Sequence, residues 1–364
     1  KYMDAYPEQK KAFYPMVTKK GQNTASKGVT GATQVWPMDI PRDIYHTEWV
    51  ANRTKNWLET QSEVKPWFCW MSFPDPHHPW DIPAAELHRI NWKDLPLPRL
   101  YSENRSQLES WLDEKPAHWR GYFEGSLWTN LESPREFIPA NMTADQVREI
   151  NAMTHIENEL IDEAVGDVIN FLQSKQWLKN TDIFFTTDHG ELQGDFGLLF
   201  KGPYHVDALM RLPFIWKPAE AANIPPAEVV SPVGHLDLAS TFCKIAGISP
   251  PDYCEGKPLP MSENEAVQQA REIVLTEWDS EHGPIDMHLK SIYHRDGFLC
   301  TAYEKSHLYD GTEGELYDMN EDPDQLRNLW DDPGYAVHRT NLTDRLYASL
   351  PEETTEKLPR KAPV

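Results

Sequence analysis

Asp188 and His189 are adjacent residues that can both ligate a metal, and they directly follow the apolar run Ile183, Phe184, Phe185, Thr186, Thr187. Such a run reads as a short buried parallel strand. In open α/β sheets, ligands collect just beyond the carboxyl ends of the strands. Carboxylates alone would suit a hard oxygen-bound ion, whereas the imidazole shifts preference toward manganese, iron or zinc. As an isolated pair, the same residues could equally be a cap and a turn histidine. Lys201 follows a Gly-Leu-Leu-Phe run. A lysine there can be an ordinary solvated charge, but beside a metal its ammonium is a point-charge clamp for a tetrahedral oxyanion. His77 and His78 stand between prolines in Pro-Asp-Pro-His-His-Pro. Proline fixes the local backbone, so a pre-aimed imidazole could deliver a proton to a leaving group. The alternative is an exposed turn with two surface histidines. A zinc site built on both is disfavoured, because neighbouring residues do not easily share a tetrahedral ion.

The elements that would hold these residues alternate between helix and strand. After the irregular residues 1–40, Ile44, Val50, Ala51, Thr54, Trp57 and Leu58 recur at helical spacing. "KPWFCWMSF" reads as a strand closed by the turn-rich "PDPHHPW". The stretch from Asp81 to about Asn141 lacks a sustained period and reads as a long surface excursion, a kind of segment that is often functional. Thr143–Gln146 has the form of a capping box. It precedes an apolar stripe from Val147 to Leu172. "LPFIW" reads as another buried strand, and "HLDLASTFCKIAG" as a helix stopped by Gly247. The expected body, residues 1–262, is therefore α/β with a mostly parallel sheet. Beyond it, residues 263–364 break into short strand-like pieces with charged turns. These predict a small antiparallel subdomain with a final helix near Tyr335–Leu350.

A formal charge of −22 disfavours nucleic acid as a partner, since that requires a clustered basic face. It also repels anionic substrates at long range, so an anion site here needs a metal or placed cations. No apolar run is long enough to span a membrane. Cys69, Cys243, Cys254 and Cys300 lack paired metal-ligand spacing. Cys69 and Cys243 are expected in the core. Asp207 and Arg211, at i and i+4, predict an ion pair. The four Asn-x-Ser/Thr tripeptides at Asn52, Asn104, Asn141 and Asn341 are short enough to arise by chance. Trp80, Trp92, Trp111, Trp119 and Trp128 could stack on a sugar or form local core.

Taken together, the fragments resemble the sulfatase family of the alkaline phosphatase superfamily. "TTDHGELQGDFGLLFKGPYHVDALMRLPFIW" is similar to the stretch in which that family has Ser/Thr-Asp-His-Gly-Glu, Gly-Asp-His-Gly-Leu, Lys-Gly-Pro and Arg-Val-Pro-Leu-Ile. "FCWMSFPDPHHPW" resembles its strand followed by Pro-His-x-Pro, "HLDLASTFCKIAGISPP" its Val-Asp-Leu-Ala-Pro-Thr helix, and "GELYDMNEDPDQLRNLW" its Glu-Leu-Tyr-Asp-Leu signature. The matches fall in family order from about His46 to the last helix. The resemblance implies an alkaline-phosphatase-like fold and hydrolysis of sulfate esters, of a small molecule or a carbohydrate. Close relatives hydrolyse phosphonate monoesters or phosphodiesters, and His189, where many sulfatases have Asn, keeps that alternative open. By position it implies Asp188 and His189 as metal ligands, Lys201 as an oxyanion contact, and His77 as a substrate contact or leaving-group acid. The implied ion is calcium foremost, with manganese, zinc or magnesium as alternatives.

Two departures stand out. Phe196 occupies the place of the histidine in Gly-Asp-His-Gly-Leu. The family's formylglycine nucleophile, a modified Cys or Ser in Cys-x-Pro-x-Arg preceded by an Asp-Asp pair, has no counterpart among the four cysteines. The expectation is an N-terminally incomplete chain. A non-catalytic sulfatase-like binding protein is the reading of a different class. Assembly of several copies and the cellular compartment are left open.

Overall fold

The computed structural model describes residues 28–62, 64–127, 134, 136–282 and 285–351. Contacts divide the chain into two compact units, residues up to 113 with 117–225, and 114–116 with 226 onward. The division falls ahead of the change in texture near residue 263. The reason is local: Asp237, on the helix expected to close the α/β body, meets Arg271 at 2.7 Å, and Thr241 Oγ1 accepts the Leu259 amide at 2.8 Å.

In the first unit, α1 (His46–Leu58) is the helix expected after the Pro-Arg-Asp start. The excursion from 81 to 141 is not structureless. It contains α2 (Arg105–Asp113) and α3 (Ala117–Glu124), which bury Leu108, Leu112, Trp119, Tyr122 and Phe123. Both helices are too short to establish a readable sequence period. Trp80 and Trp119 are fully buried core residues, and Trp128 lies outside the described residues.

The long helix α4 (Ala144–Ser174) starts at the expected capping box, with Thr143 and Gln146 bonding reciprocally. Its stripe packs in two stretches. Ile150, Met153, Ile156 and Leu160 meet Tyr45, Trp80, Ile82, Leu199 and Phe200. Further along, Ala164, Val168 and Leu172 meet Ala51 and Leu58 of α1, with Trp67, Met71, Phe73 and Ile183 against them. The helix is thus the spine on which the candidate site residues are hung.

The strands differ from a largely parallel sheet. β1 (Ile183–Thr186) pairs antiparallel with a later strand, Phe214–Lys217, and the short β2 (Leu192–Gln193) and β3 (Leu199–Phe200) form an antiparallel hairpin. We call Phe214–Lys217 β4. Parallel pairing among the described residues is confined to the bridges Val35–Trp80 and Met38–Pro83. An antiparallel edge strand is common in otherwise parallel α/β sheets. The segment "KPWFCWMSF" runs without a ladder partner among the described residues. It still alternates: Trp67, Met71 and Phe73 pack inward, whereas Phe68 and Trp70 are 61% and 69% exposed. Phe185 of β1 and Ile215 of β4 are likewise exposed. Cys69, between Phe68 and Trp70, is only half-buried, as is Cys243, so neither is the core thiol expected; Cys300 is the buried one.

The second unit contains α5 (Leu236–Ala246), closed as expected by Gly247 at φ 68°, and α6 (Glu263–Gln268). The expected antiparallel sheet follows in simple meander order: β5 (Ile273–His282), β6 (Ile285–His294), β7 (Phe298–Tyr303) and β8 (Gly314–Asp318). The last helix, α7 (Ala336–Ser349), buries Leu342 and Leu346 against Ile292, Cys300 and Leu316.

Candidate active site

The loop from Asp188 to Tyr204 and the turn from Asp75 to Trp80 come together in the first unit. Gly190 fixes the start of the loop. Its amide donates to the Leu209 carbonyl at 2.9 Å, and a Cβ there would stand 1.9 Å from the Ala208 oxygen. Only glycine allows so close a backbone approach. The far end is held by α3. His118 Nε2 donates to the Pro203 carbonyl at 2.9 Å, its ring stacks on Tyr204, and Trp119 meets Tyr204 edge-on. Burial pushes the His118 imidazole down to about 3 and that of His205 to about 4, so both are neutral.

Lys201 Nζ lies 2.6 Å from His77 Nε2, a contact between residues 124 positions apart. His77 Nδ1 meets the His78 carbonyl at 2.5 Å. A carbonyl only accepts, so Nδ1 carries the proton and Nε2 offers its lone pair to the ammonium. His78 is buried, stacks on His77, meets Phe200 at a tilt of 60°, and approaches Glu191 at 4.0 Å. The two histidines thus divide the work: His78 packs the turn into the core, and exposed His77 faces the lysine.

At Asp188 and His189 the same logic fixes the tautomer. His189 Nδ1 donates to the Gly190 carbonyl at 2.8 Å, which leaves the Nε2 lone pair free 3.7 Å from Asp188 Oδ2. These two atoms can share one ion, and an imidazole oriented through its other nitrogen is the usual form of a metal ligand. Partial burial opposes ionisation of Asp188. His189, its amide and the Thr187 hydroxyl outweigh that, and the carboxyl stays below its ordinary range. The Asp188 side chain is 83% exposed. No third potential ligand residue joins this pair among the described residues. Two donors alone would fall short of a site, since a divalent ion takes about six.

Phe196, at the departure from the family motif, is buried with φ 57° and meets Trp119 edge-on at 5.2 Å. Its side chain fills the core rather than facing the loop's polar groups. Asp207 and Arg211 approach at 3.9 Å, forming the expected exposed ion pair.

The sequence reading missed one cluster. His46, Asp75 and Asp81 each offer a ligand atom, all within 4.8 Å of one another. Asp75 and Asp81 flank the His77 turn, which was the available signal; His46 was hidden in the first turn of α1.

The sequence profile of the sulfatase family matches residues 3–248. The chain belongs to the sulfatase family. A second profile, N-sulphoglucosamine sulphohydrolase, C-terminal, matches residues 194–352. An uncharacterized sulfatase, YidJ of Escherichia coli (strain K12), is 28% identical over 82% of this chain and 54% of its own length. The Delta 4,5-hexuronate-2-O-sulfatase of Bacteroides thetaiotaomicron is 26% identical over 62% of this chain and 49% of its own length. This sulfatase-family chain thus spans about half the length of these curated relatives. In fold it is similar to the phosphonate monoester hydrolase of Silicibacter pomeroyi, with a TM-score of 0.73 and 21% identity over 94% of this chain and 68% of that one. The likeness establishes the alkaline-phosphatase-like α/β fold with its C-terminal antiparallel sheet.

Proposed function

We propose that the protein hydrolyses sulfate esters, of a small molecule or a carbohydrate, at a site built on His77, Asp188, His189 and Lys201. The observation that carries this reading is the 2.6 Å contact between Lys201 Nζ and His77 Nε2. Two residues singled out separately by motif are in contact, on the loop that begins with the candidate metal ligands.

In this proposal Asp188 Oδ2 and His189 Nε2 hold a divalent cation, calcium foremost, with the other donors coming from outside the described residues. When bound, the cation supplies positive charge that neutralises the sulfuryl oxygens and activates the nucleophile. Lys201 turns its ammonium from His77 to a non-bridging sulfuryl oxygen, giving charge stabilisation where it develops. His77, aimed by its Nδ1 bond, takes up a solvent proton at Nε2 once the lysine has turned away, and gives that proton from the imidazolium to the departing alkoxide. None of the four cysteines lies in a Cys-x-Pro-x-Arg context, so the formylglycine nucleophile is also proposed to come from outside the described residues. Cation and Lys201 together reverse the sign of the field locally inside a chain of net charge −22.

A second reading, phosphonate monoester or phosphodiester hydrolysis, is favoured by His189 at a position where many sulfatases have Asn. Rates of the complete gene product on 4-nitrophenyl sulfate and on a phenylphosphonate monoester separate the two. A kcat/KM preference for the sulfate supports the proposal. A clear preference for the phosphonate selects the second reading, and inactivity on both, with the nucleophile segment present, sinks the catalytic one.

A further inference from the structure

Beneath the turn that carries His77, the protein gathers more carboxyl groups than its own cationic side chains can pair. His46 Nε2 lies 3.3 Å from Asp75 Oδ1 and 3.4 Å from Asp81 Oδ1. Asp75 and Asp81 are each 7% exposed. Asp75 Oδ2 accepts the Thr47 hydroxyl at 2.5 Å, so that hydroxyl's proton is committed. Thr47 Oγ1 lies 3.5 Å from His46 Nδ1, at the outer limit of a hydrogen bond and too far to fix the imidazole tautomer. His46 Nε2 thus faces two carboxylate oxygens, an arrangement met either by its N–H donating to them or by its lone pair sharing a cation with them.

The second observation comes from α4. Glu157 is 0% exposed, and neither carboxylate oxygen makes a hydrogen bond of ordinary geometry. Its carboxyl feels Asp75 and Asp81 directly, while the Asp81 amide exerts only a minor pull. Of the ionisable groups gathered here (Tyr45, His46, Asp75, Asp81 and Glu157), only His46 can carry positive charge. Three carboxyl groups gathered about one imidazole must be balanced by protons or by a metal ion, since buried charges are ordinarily paired or bound to metal. The nearby Arg42 is engaged by Glu48 and Glu163.

We propose that His46, Asp75 and Asp81 ligate a divalent manganese or zinc ion, with the Glu157 carboxyl behind them. With one imidazole among three protein donors, the set suits manganese or zinc. The site is separate from Asp188 and His189 and does not depend on the sulfate-ester reading. Because Asp75 and Asp81 bracket the His77 turn, and His46 and Glu157 lie on α1 and α4, the ion ties that turn to the two helices.

The test is metal content and thermal stability of the chain after dialysis against Mn²⁺ or Zn²⁺, in wild type, Asp188→Asn, Asp81→Asn and Glu157→Gln. The expected result is one equivalent of metal in wild type that survives in Asp188→Asn. It disappears in Asp81→Asn and weakens about 10–100-fold in Glu157→Gln. Free metal at about a hundred times Kd should raise Tm by about 5–10 °C in wild type and Asp188→Asn, with no rise in Asp81→Asn. Metal lost on Asp188→Asn but kept in Asp81→Asn overturns the proposal. So does a wild-type chain that takes up neither ion and shows no thermal shift, because its buried carboxylates are then balanced by protons. If Asp81→Asn does not fold, the wild-type and Asp188→Asn measurements decide the matter alone.

Discussion

Acidification should destabilise the fold through the two buried histidines that anchor the Lys201 loop, and His118→Gln isolates the effect. Burial, reinforced by the neighbouring His205 and opposed by the Pro203 carbonyl, depresses His118 to about 3; burial depresses His205 to about 4. In the unfolded chain both titrate near 6.5. Between those values only the unfolded chain binds the extra protons. The stability they contribute is therefore complete above about pH 6.5 and is lost as pH falls toward the folded values. At pH 5 each imidazole lies about one and a half units below its unfolded pKa and still above its folded one, a cost of about 2 kcal/mol apiece and about 4 kcal/mol together. Glu157 works in the opposite direction, because burial and then Asp75 and Asp81 raise its folded pKa. The total pH profile is thus a sum of opposing terms, and the difference between variants is the clean measurement. The glutamine amide of the variant would keep a donor for the Pro203 carbonyl without an ionisable proton. Urea unfolding at pH 7 and pH 5 should show wild type losing about 2 kcal/mol more than His118→Gln over that interval. Equal losses in the two proteins would refute the reasoning, as would an NMR titration of His118 with a midpoint near 6.

Other outcomes follow from single contacts. Lys201→Ala in the complete gene product should lower kcat on a sulfate ester about 10²–10³-fold, whereas Arg211→Ala, in an exposed ion pair, should leave it near wild type; near-normal turnover in the lysine variant would remove its assigned role. Gly190→Ala places a methyl group 1.9 Å from the Ala208 oxygen, so the loop must part from residues 208–209, with a loss of about 1–3 kcal/mol read as a lower urea midpoint. Thr143→Ala removes the acceptor for the Gln146 amide and should cost about 1 kcal/mol in the same assay, with little effect on substrate turnover.

Much of the architecture could be read from the sequence where periodicity and end signals agree. The Thr143–Gln146 box, the Val147–Leu172 stripe and the Gly247 stop each name a boundary, and the structure places helix ends there. The second-unit strands were legible because charged turns separate them. Legibility failed where a pattern is shared by two states. Residues 65–73 alternate as a strand does, yet alternation does not report whether a ladder partner exists, and none lies among the described residues. Residues 105–124 fold as two short helices whose burial depends on Trp119 and Phe123 finding Tyr204, Phe196 and Gly197, contacts no local window contains.

The same distinction separates the two groups of candidate ligands. Asp188 and His189 are neighbours at a strand's end, so their chemistry can be read from the sequence. In the fold they are exposed and supply two donors; their environment asks for further ligands. His46, Asp75, Asp81 and Glu157 are scattered over α1, a proline-rich turn and α4, and no spacing rule gathers them. In the fold the three carboxyl groups are buried together, with His46 half-buried among them; their environment asks for a cation or for protons. A deficit of donors at an exposed pair and a deficit of positive charge in a buried cluster are both statements of electrostatic balance. They differ in what restores it. The exposed pair can wait in water, which solvates Asp188 at little cost. The buried cluster cannot, because each uncompensated carboxylate there costs several kcal/mol, so some cation or proton must enter as the unit folds. Metal content should therefore follow folding at the buried cluster. At the site proposed on Asp188 and His189 it should follow the supply of donors from outside the described residues.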